Sequence, residues 1–360
     1  MTIYLLGAFI LSLACGAVFT PAIIDFCKRK NLYDLPSGRK VHHYAIPRLG
    51  GISFFPSMVL AFAACLIVIS TNGGIDHPFG IWSASFLVGL GIIYITGIVD
   101  DLIGLNATTK FIAQIVAASL LPLAGLYLNN LYGLFGIYEI PAYVGIPLTV
   151  FIIVFIDNAI NLIDGIDGLA GCLSLLALGG FLAYFVHYDV FMNTYAILAA
   201  GMMGALVTFL YFNLFGKPEK GNKIFMGDSG SLSLGYTLGF LAIKSSMHVD
   251  FIWPYRPEAL LVPVTLLMVP AVDVVRVTLY RLFHRQPLFR ADKNHIHHKL
   301  MQAGLSQGQT LLFILSMAVC IIVINWMLYT CLSSAAILAI DIVIYCLVNG
   351  GINLKIKGSR

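Results

Sequence analysis

Charge is what this sequence is short of. Asp, Glu, Lys and Arg make up only 11% of its 360 residues, against about 25% in a soluble domain. That scarcity excludes a soluble globular protein. No basic tract is present that would suit nucleic acid, and the formal net charge is a modest +4. The seven cysteines contain no CxxC pair and lie in or beside apolar segments. They read as small packing residues, without the spacing of a metal site or a redox pair. Low-complexity segments, linkers and internal repeats are also missing, so residues 1–360 read as a single integral membrane domain.

What is there is apolar. Hydrophobic residues make up 59% of the chain, and its mean hydropathy is +0.91. A helix needs about 20 apolar residues to cross the hydrocarbon core. Eleven segments meet that need, near 3–24, 50–70, 80–98, 111–128, 143–162, 167–187, 193–213, 230–246, 257–280, 309–328 and 333–351. The expected fold is therefore an all-α polytopic membrane protein of about eleven spans. Residues 1–20 carry no positive stretch before them, and Lys28-Arg29-Lys30 follows them. That pattern predicts a first transmembrane helix with its N-terminus outside, where a cleavable signal would have the charge first. With this topology 19 of the 21 Lys and Arg residues fall on the cytoplasmic side, including the C-terminal tail. Only Lys244 and Arg256 fall outside.

The same topology sorts the acids. Asp100, Asp101, Asp157, Asp164, Asp167 and Asp228 all meet the cytoplasmic face, together with His42, His43, His284, His295, His297 and His298. Asp76, Glu139, Asp189, Asp250 and Glu258 fall outside without clustering. Carboxylates near lipid are costly and need partners. Their convergence suggests a divalent metal and a phosphorylated substrate at the membrane surface.

Five stretches carry this chemistry. Asp100-Asp101 ends a span; adjacent carboxylates repel unless a cation neutralises them, and Lys110 is the candidate. In Asp157 through Ala170 the residues Asp157, Asn161, Asp164 and Asp167 are spaced by four, three and three, which shares a helix face. Gly165 and Gly168 would break that helix and admit a ligand to the backbone. Such oxygen donors suit Mg²⁺, which keeps waters and takes substrate phosphates. Gly227-Asp228-Ser229-Gly230 opens a span and offers N–H groups, hydroxyls and a carboxylate to an anion with its metal. His295, His297 and His298 lie among Arg290, Lys293 and Lys299, a basic setting that suits a pyrophosphate better than zinc. Asp34 through Gly51 is a basic loop ending in Pro47-Arg48-Leu49-Gly50-Gly51, fit for anionic lipid or a lipid phosphate at a span entrance. Each has an ordinary reading too: a solvated cap, inter-helix polar glue, an N-cap or a solvated loop.

Together these motifs resemble the polyprenyl-phosphate N-acetylhexosamine-1-phosphate transferase superfamily. The resemblance rests on Asp100-Asp101, NAINLIDGIDGLA at 158–170, FMGDSGSLSLG at 225–235 and HIHH at 295–298, in family order. Eleven spans, PRLGG at 47–51 and HIHH resemble the WecA/TagO branch, as against the MraY branch. The resemblance implies transfer of a sugar 1-phosphate from a UDP-N-acetyl sugar to undecaprenyl phosphate, with release of UMP and a need for Mg²⁺ or Mn²⁺. It implies that Asp228 and Asn161 ligate the metal and that Asp100 is the base, with Asp101 beside it. It places Asp164 and Asp167 on the nucleotide and metal pocket, Phe225 against uracil, and His295, His297 and His298 toward the pyrophosphate. Asn213 is implied in uridine contact, although residues 214–222 form a longer loop than family members carry. GlcNAc is the sugar the branch implies, the location is the bacterial cytoplasmic membrane, and relatives suggest a homodimer. Competing readings are an MraY-type phospho-MurNAc-pentapeptide transferase, a relative using another UDP-sugar and, remotely, a secondary transporter, whose acids would sit at the midplane of repeated halves.

Overall fold

The computed structural model describes residues 1–34, 45–72, 80–188, 193–249, 255–287 and 294–358. Arg39, Lys40, His42, His43, Arg290 and Lys293, counted above to the cytoplasmic side, lie outside the described residues. So do Asp76, Asp189 and Asp250. All eleven expected spans fall on helix. In chain order the helices are α1 (Thr2–Lys30), α2 (Phe54–Thr71), α3 (Ile81–Ile103), α4 (Ala107–Leu123), α5 (Ala142–Ile163), α6 (Leu169–Tyr188) and α7 (Asn193–Phe215). They continue with α8 (Gly227–Ser246), α9 (Leu261–Leu266), α10 (Met268–Phe283), α11 (Ile296–Gln302), α12 (Gln307–Leu328) and α13 (Ser334–Gly358). Among the described residues there are also two short antiparallel ribbons, β1 (Tyr33–Asp34) with β2 (Ile46–Pro47) and β3 (Asn130–Leu134) with β4 (Ile137–Glu139). Among the described residues, eight segments are long and apolar enough to cross a membrane unaided.

Where helices depart from the apolar runs, the causes are local. The run to residue 128 stops at Leu123. Gly125 there has φ +83, and its N–H donates to Pro122 O at 3.0 Å while Leu126 N–H donates to Leu121 O at 3.0 Å. That pair of bonds is a Schellman ending, which needs a residue able to adopt the left-handed region. The expected single span 257–280 is instead two helices meeting at Leu267. Pro270 has no N–H for the Leu266 carbonyl one turn before it, so the ladder breaks there.

α8 is the exception that organises the bundle. It is not among the eight apolar segments, yet every residue from Ser229 to Ser246 is buried. Most of its Ser and Thr hydroxyls bond back to carbonyls of the same helix. Ser233 donates to Ser229 O at 2.6 Å and Thr237 to Ser233 O at 2.7 Å. Small residues let neighbouring backbones approach, as is usual at membrane helix interfaces. Gly235 meets the Asp157 backbone of α5, and a Cβ on Gly97 of α3 would overlap the Ser229 backbone. The 3-10 turn Gly50–Ser53 does the same from a third side, with Gly51 against Gly230.

The two basic residues that broke the charge asymmetry are both buried. Lys244 Nζ lies 3.8 Å from the Trp82 ring centroid and 4.8 Å from that of Tyr195. Arg256 donates to the Tyr184 hydroxyl and to Met247 O, each at 2.9 Å. Neither presents its charge to lipid or to the surface, so both are compatible with the rule they seemed to breach.

The close approach of α3 to α8 gives a direct test. Gly97→Val should lower stability by about 1–3 kcal/mol through overpacking. Gly91→Ala, on the same helix with open space around it, should cost nothing and raise stability by up to about 1 kcal/mol. Thermal unfolding of the purified protein in detergent reads both.

Candidate active site

The polar ends of α3, α5 and α8 converge at one end of the bundle. They enclose a cavity of about 420 Å³. Its wall includes Arg48, Asp101, Asn161, Asp164, Asp167, Asn213, Phe225, Asp228 and His298, all expected from sequence. Asp34 and Gln307 also line it.

The adjacent acids on α3 have separate jobs. Asp101 turns both oxygens to the N-terminus of α8, accepting from Asp228 N at 2.8 Å and Ser229 N at 3.0 Å. A helix N-terminus leaves such N–H groups free, and a carboxylate there is favoured by the helix dipole. Asp100 turns away, accepting from Lys110 Nζ at 2.9 Å and Leu105 N at 2.5 Å. Lys110 also stands 3.5 Å from Asp228 Oδ2, so it bridges the two carboxylates. Asn161 donates to Asp228 Oδ1 and to Ser231 Oγ. Gly227 makes this junction possible. Its φ is +74, and a Cβ there would overlap Arg48 O and crowd the Asp101 carboxylate.

α5 ends at Ile163, so Asp164 and Asp167 lie on the following loop rather than on the helix face that the spacing predicts. Asp157 does lie on α5, but a turn deeper, packed on Gly235 and absent from the cavity wall. Asp167 pairs with Lys223 Nζ at 2.9 Å. Lys223 also donates to Asn213 O at 2.8 Å. Asn213 accepts from Gly168 N at 2.7 Å and donates to Ile224 O at 2.9 Å. Its amide thus fastens the acid loop to the strand-like segment before α8. The longer 214–222 loop contributes nothing to the cavity wall.

Residues 47–51 run beside 225–226. Phe225 N donates to Pro47 O, Gly50 N to Phe225 O and Gly51 N to Met226 O, at 2.8–2.9 Å. This pairing holds Arg48 and Phe225 on the same wall. From the other side comes α11. His298 reaches the cavity, whereas His297 is buried with its ring against Gly165. Neither ring nitrogen of His297 has a hydrogen-bond partner among the described residues. Burial, then the neighbouring His298 and His295, push His297 down to about 3. It is therefore neutral near pH 7 and acts by packing. His295 lies behind both, with Nδ1 at 2.8 Å from Asp273 Oδ2.

The site carries more negative charge than its own cations offset. Burial raises Asp164 to about 7, helped by the charges of Asp228, Asp167 and Asp101. Among the described residues no group of three or more His, Cys, Asp or Glu is arranged to hold a metal alone. Mg²⁺ does not need one, since it binds through one or two protein oxygens plus waters and substrate phosphates. Asp228 and the Asn161 side-chain oxygen fit that pattern, and a cation there would relieve the excess charge.

The sequence reading passed over Asp273. An acid within an apolar span is a signal for function, and Asp273 carries that signal within the run 257–280. Gln307 carried no signal at all.

His297 gives a pH test. Its folded value near 3 is below the unfolded value of about 6.5. As pH falls below about 6.5 the unfolded chain takes the proton first, so stability is lost toward acid. Between pH 7 and pH 5 the loss from this group should be on the order of 1–2 kcal/mol. Melting temperatures at the two pH values, for the native protein and His297→Gln, measure it; the variant should show the smaller drop.

Comparison with known proteins gives the family. The family model for glycosyl transferase family 4 matches residues 83–246. The chain is 32% identical over 311 residues to a probable undecaprenyl-phosphate N-acetylglucosaminyl 1-phosphate transferase of Bacillus subtilis, covering 85% of this chain and 80% of the relative. It is 31% identical over 296 residues to a decaprenyl-phosphate N-acetylglucosaminephosphotransferase of Mycolicibacterium smegmatis, covering 78% and 71%. It is 28% identical over 306 residues to an undecaprenyl-phosphate alpha-N-acetylglucosaminyl 1-phosphate transferase of Escherichia coli K12, covering 82% and 77%. The chain belongs to the polyprenyl-phosphate N-acetylhexosamine-1-phosphate transferase family, within glycosyl transferase family 4.

Proposed function

We propose that this protein transfers N-acetylglucosamine 1-phosphate from UDP-GlcNAc to undecaprenyl phosphate. The products are undecaprenyl-diphosphate-GlcNAc and UMP, at the inner face of a bacterial cytoplasmic membrane. This would be the first lipid-linked step of a surface polysaccharide. The observation that carries the reading is one cavity, opening among membrane helices, that gathers Asp101, Asn161, Asp164, Asp167 and Asp228 with Arg48, Phe225 and His298.

In this reading an oxygen of the lipid phosphate bonds to the sugar-linked phosphorus of the donor. The bond from that phosphorus to the bridging oxygen breaks, and UMP leaves with the electron pair. A phosphomonoester has a second pKa of about 6, so most of the acceptor arrives as a dianion and attacks directly. Asp100, paired to Lys110, is the group to take a proton from the remainder. Asp228 and Asn161 would hold Mg²⁺ or Mn²⁺, which would offset charge on the diphosphate and the departing UMP. Arg48 and His298 face the anions, and Phe225 offers a ring to uracil. Asp101 holds the α8 N-terminus, so that Asp228 points into the cavity. Asp164 and Asp167 shape the wall that the nucleotide meets. The names of the relatives support both the sugar and a polyprenyl acceptor, with acceptors of two names among them.

UMP release by purified protein with undecaprenyl phosphate, Mg²⁺ and UDP-GlcNAc tests this. Asp228→Ala should lower turnover by about 100-fold or more, and EDTA should abolish it until Mg²⁺ is restored. Release with UDP-MurNAc-pentapeptide alone would move the chain to the peptidoglycan-precursor branch. Release with UDP-GalNAc alone would change the sugar. Trapping a covalent phosphoryl-Asp during turnover would refute direct attack.

A further inference from the structure

The histidines that reach the site are carried by a helix that cannot hold itself. α11 has seven residues, and isolated helices shorter than about 12 residues are marginal. Its placement must come from its anchors. Three consecutive residues at its start are gripped from α10. Arg276 donates to Asn294 O at 2.5 Å, Asp273 Oδ2 meets His295 Nδ1 at 2.8 Å, and Ile296 N donates to Asp273 at 3.1 Å. Arg276 also donates to Asp273 Oδ1 at 2.7 Å, and the Tyr345 hydroxyl of α13 donates to the same oxygen at 2.8 Å. Asp273 is fully buried and is met by groups from three helices. Further along, Lys299 Nζ donates to Asn349 and Asn353 of α13 at 3.1 and 3.0 Å. His297 and His298 lie between these two fixings, one on Gly165 and the other on the cavity wall.

We propose that Asp273 is a positioning residue for the donor site: it fixes the start of α11 so that His297 packs on the acid loop and His298 faces the diphosphate of the UDP-sugar. Asp273 itself does not line that cavity. It acts through His295 and the Ile296 N–H, and Tyr345 extends the hold to α13. The inference deepens the proposed reaction and rests on a UDP-sugar occupying the cavity.

Three variants test it. Asp273→Asn keeps the shape and an acceptor but removes the charge. Tyr345→Phe removes one hydrogen bond of the set. His298→Ala removes the side chain on which Asp273 is said to act. Asp273→Asn should raise the KM for the UDP-sugar about tenfold, with the KM for the lipid phosphate changed by less than about twofold. Tyr345→Phe should move the donor KM in the same direction by less. In the His298→Ala background, Asp273→Asn should add less than about a further twofold, because the two act in series. A fall in kcat in step with the folded fraction, both KM values staying put, would overturn the proposal. So would effects of the two substitutions that simply multiply.

A readout independent of turnover separates this from the reaction itself. Diethyl pyrocarbonate modification followed by mass spectrometry should show His297 and His298 reacting about threefold or more faster in Asp273→Asn, as buried contacts open. The exposed His284 serves as an internal standard. If the native protein releases no UMP from any donor, the reaction assigned above is wrong, and the modification rates still decide the role of Asp273. Unchanged rates at both histidines would refute it.

Discussion

The site depends on one carboxylate meeting the end of one helix. Asp101 accepts two backbone N–H groups at the start of α8, and this is possible because Gly97 lets the α3 and α8 backbones nearly touch. Without that contact α8 would stand farther from α3. Asp228 would then lose its register with Lys110 and Asn161. The left-handed turn at Gly227 and the paired segments 47–51 and 225–226 converge on the same junction. Glycines around α8 thus set distances that the charged groups exploit.

Charge balance is the second constraint. Asp167 and Asp273 each have a cation within 3 Å, so they work as fastenings, while Lys110 meets Asp100, the group proposed as the base. Asp164 and Asp228 share the cavity with fewer compensating cations, and Asp164 is raised accordingly. The distinction separates acids that hold the structure from acids that await a cation and an anionic substrate. His297 shows the converse. Its position in a run of histidines suggests charge, but burial keeps it neutral and makes it a spacer against Gly165.

Much of this was legible in the residues. The apolar runs located the helices of an all-α membrane protein, and the acidic motifs at the run ends marked the residues that meet at one end of the bundle. The pairing of Asp100 with Lys110 also followed from the sequence. The different tasks of Asp100 and Asp101 did not. Successive helix residues point about 100° apart, so adjacent identical letters face different neighbours, and only packing says which. Asp157 and Asn161 share a face as their spacing requires, yet depth along α5 decides that one lines the cavity and the other meets Gly235. The β3–β4 ribbon went unseen because it is short and lies between spans. The anchoring by Asp273 depends on contacts made across 22 and 72 positions of sequence, which no local pattern encodes.

α8 has a consequence for how the protein is made. A segment rich in Ser, Thr and Gly partitions weakly from water into lipid, since each such residue adds little or nothing to the driving force. α8 lies wholly among other helices, and its small residues accept the backbones of α3 and α5. Its entry into the membrane is therefore tied to helices already there, so that the catalytic end is assembled as α8 docks rather than as it inserts. Truncations ending after Ser246, with and without α3, would report that order through the side on which a terminal tag appears. The residue composition that builds the candidate active site is the same composition that leaves its central helix dependent on its neighbours in the bilayer.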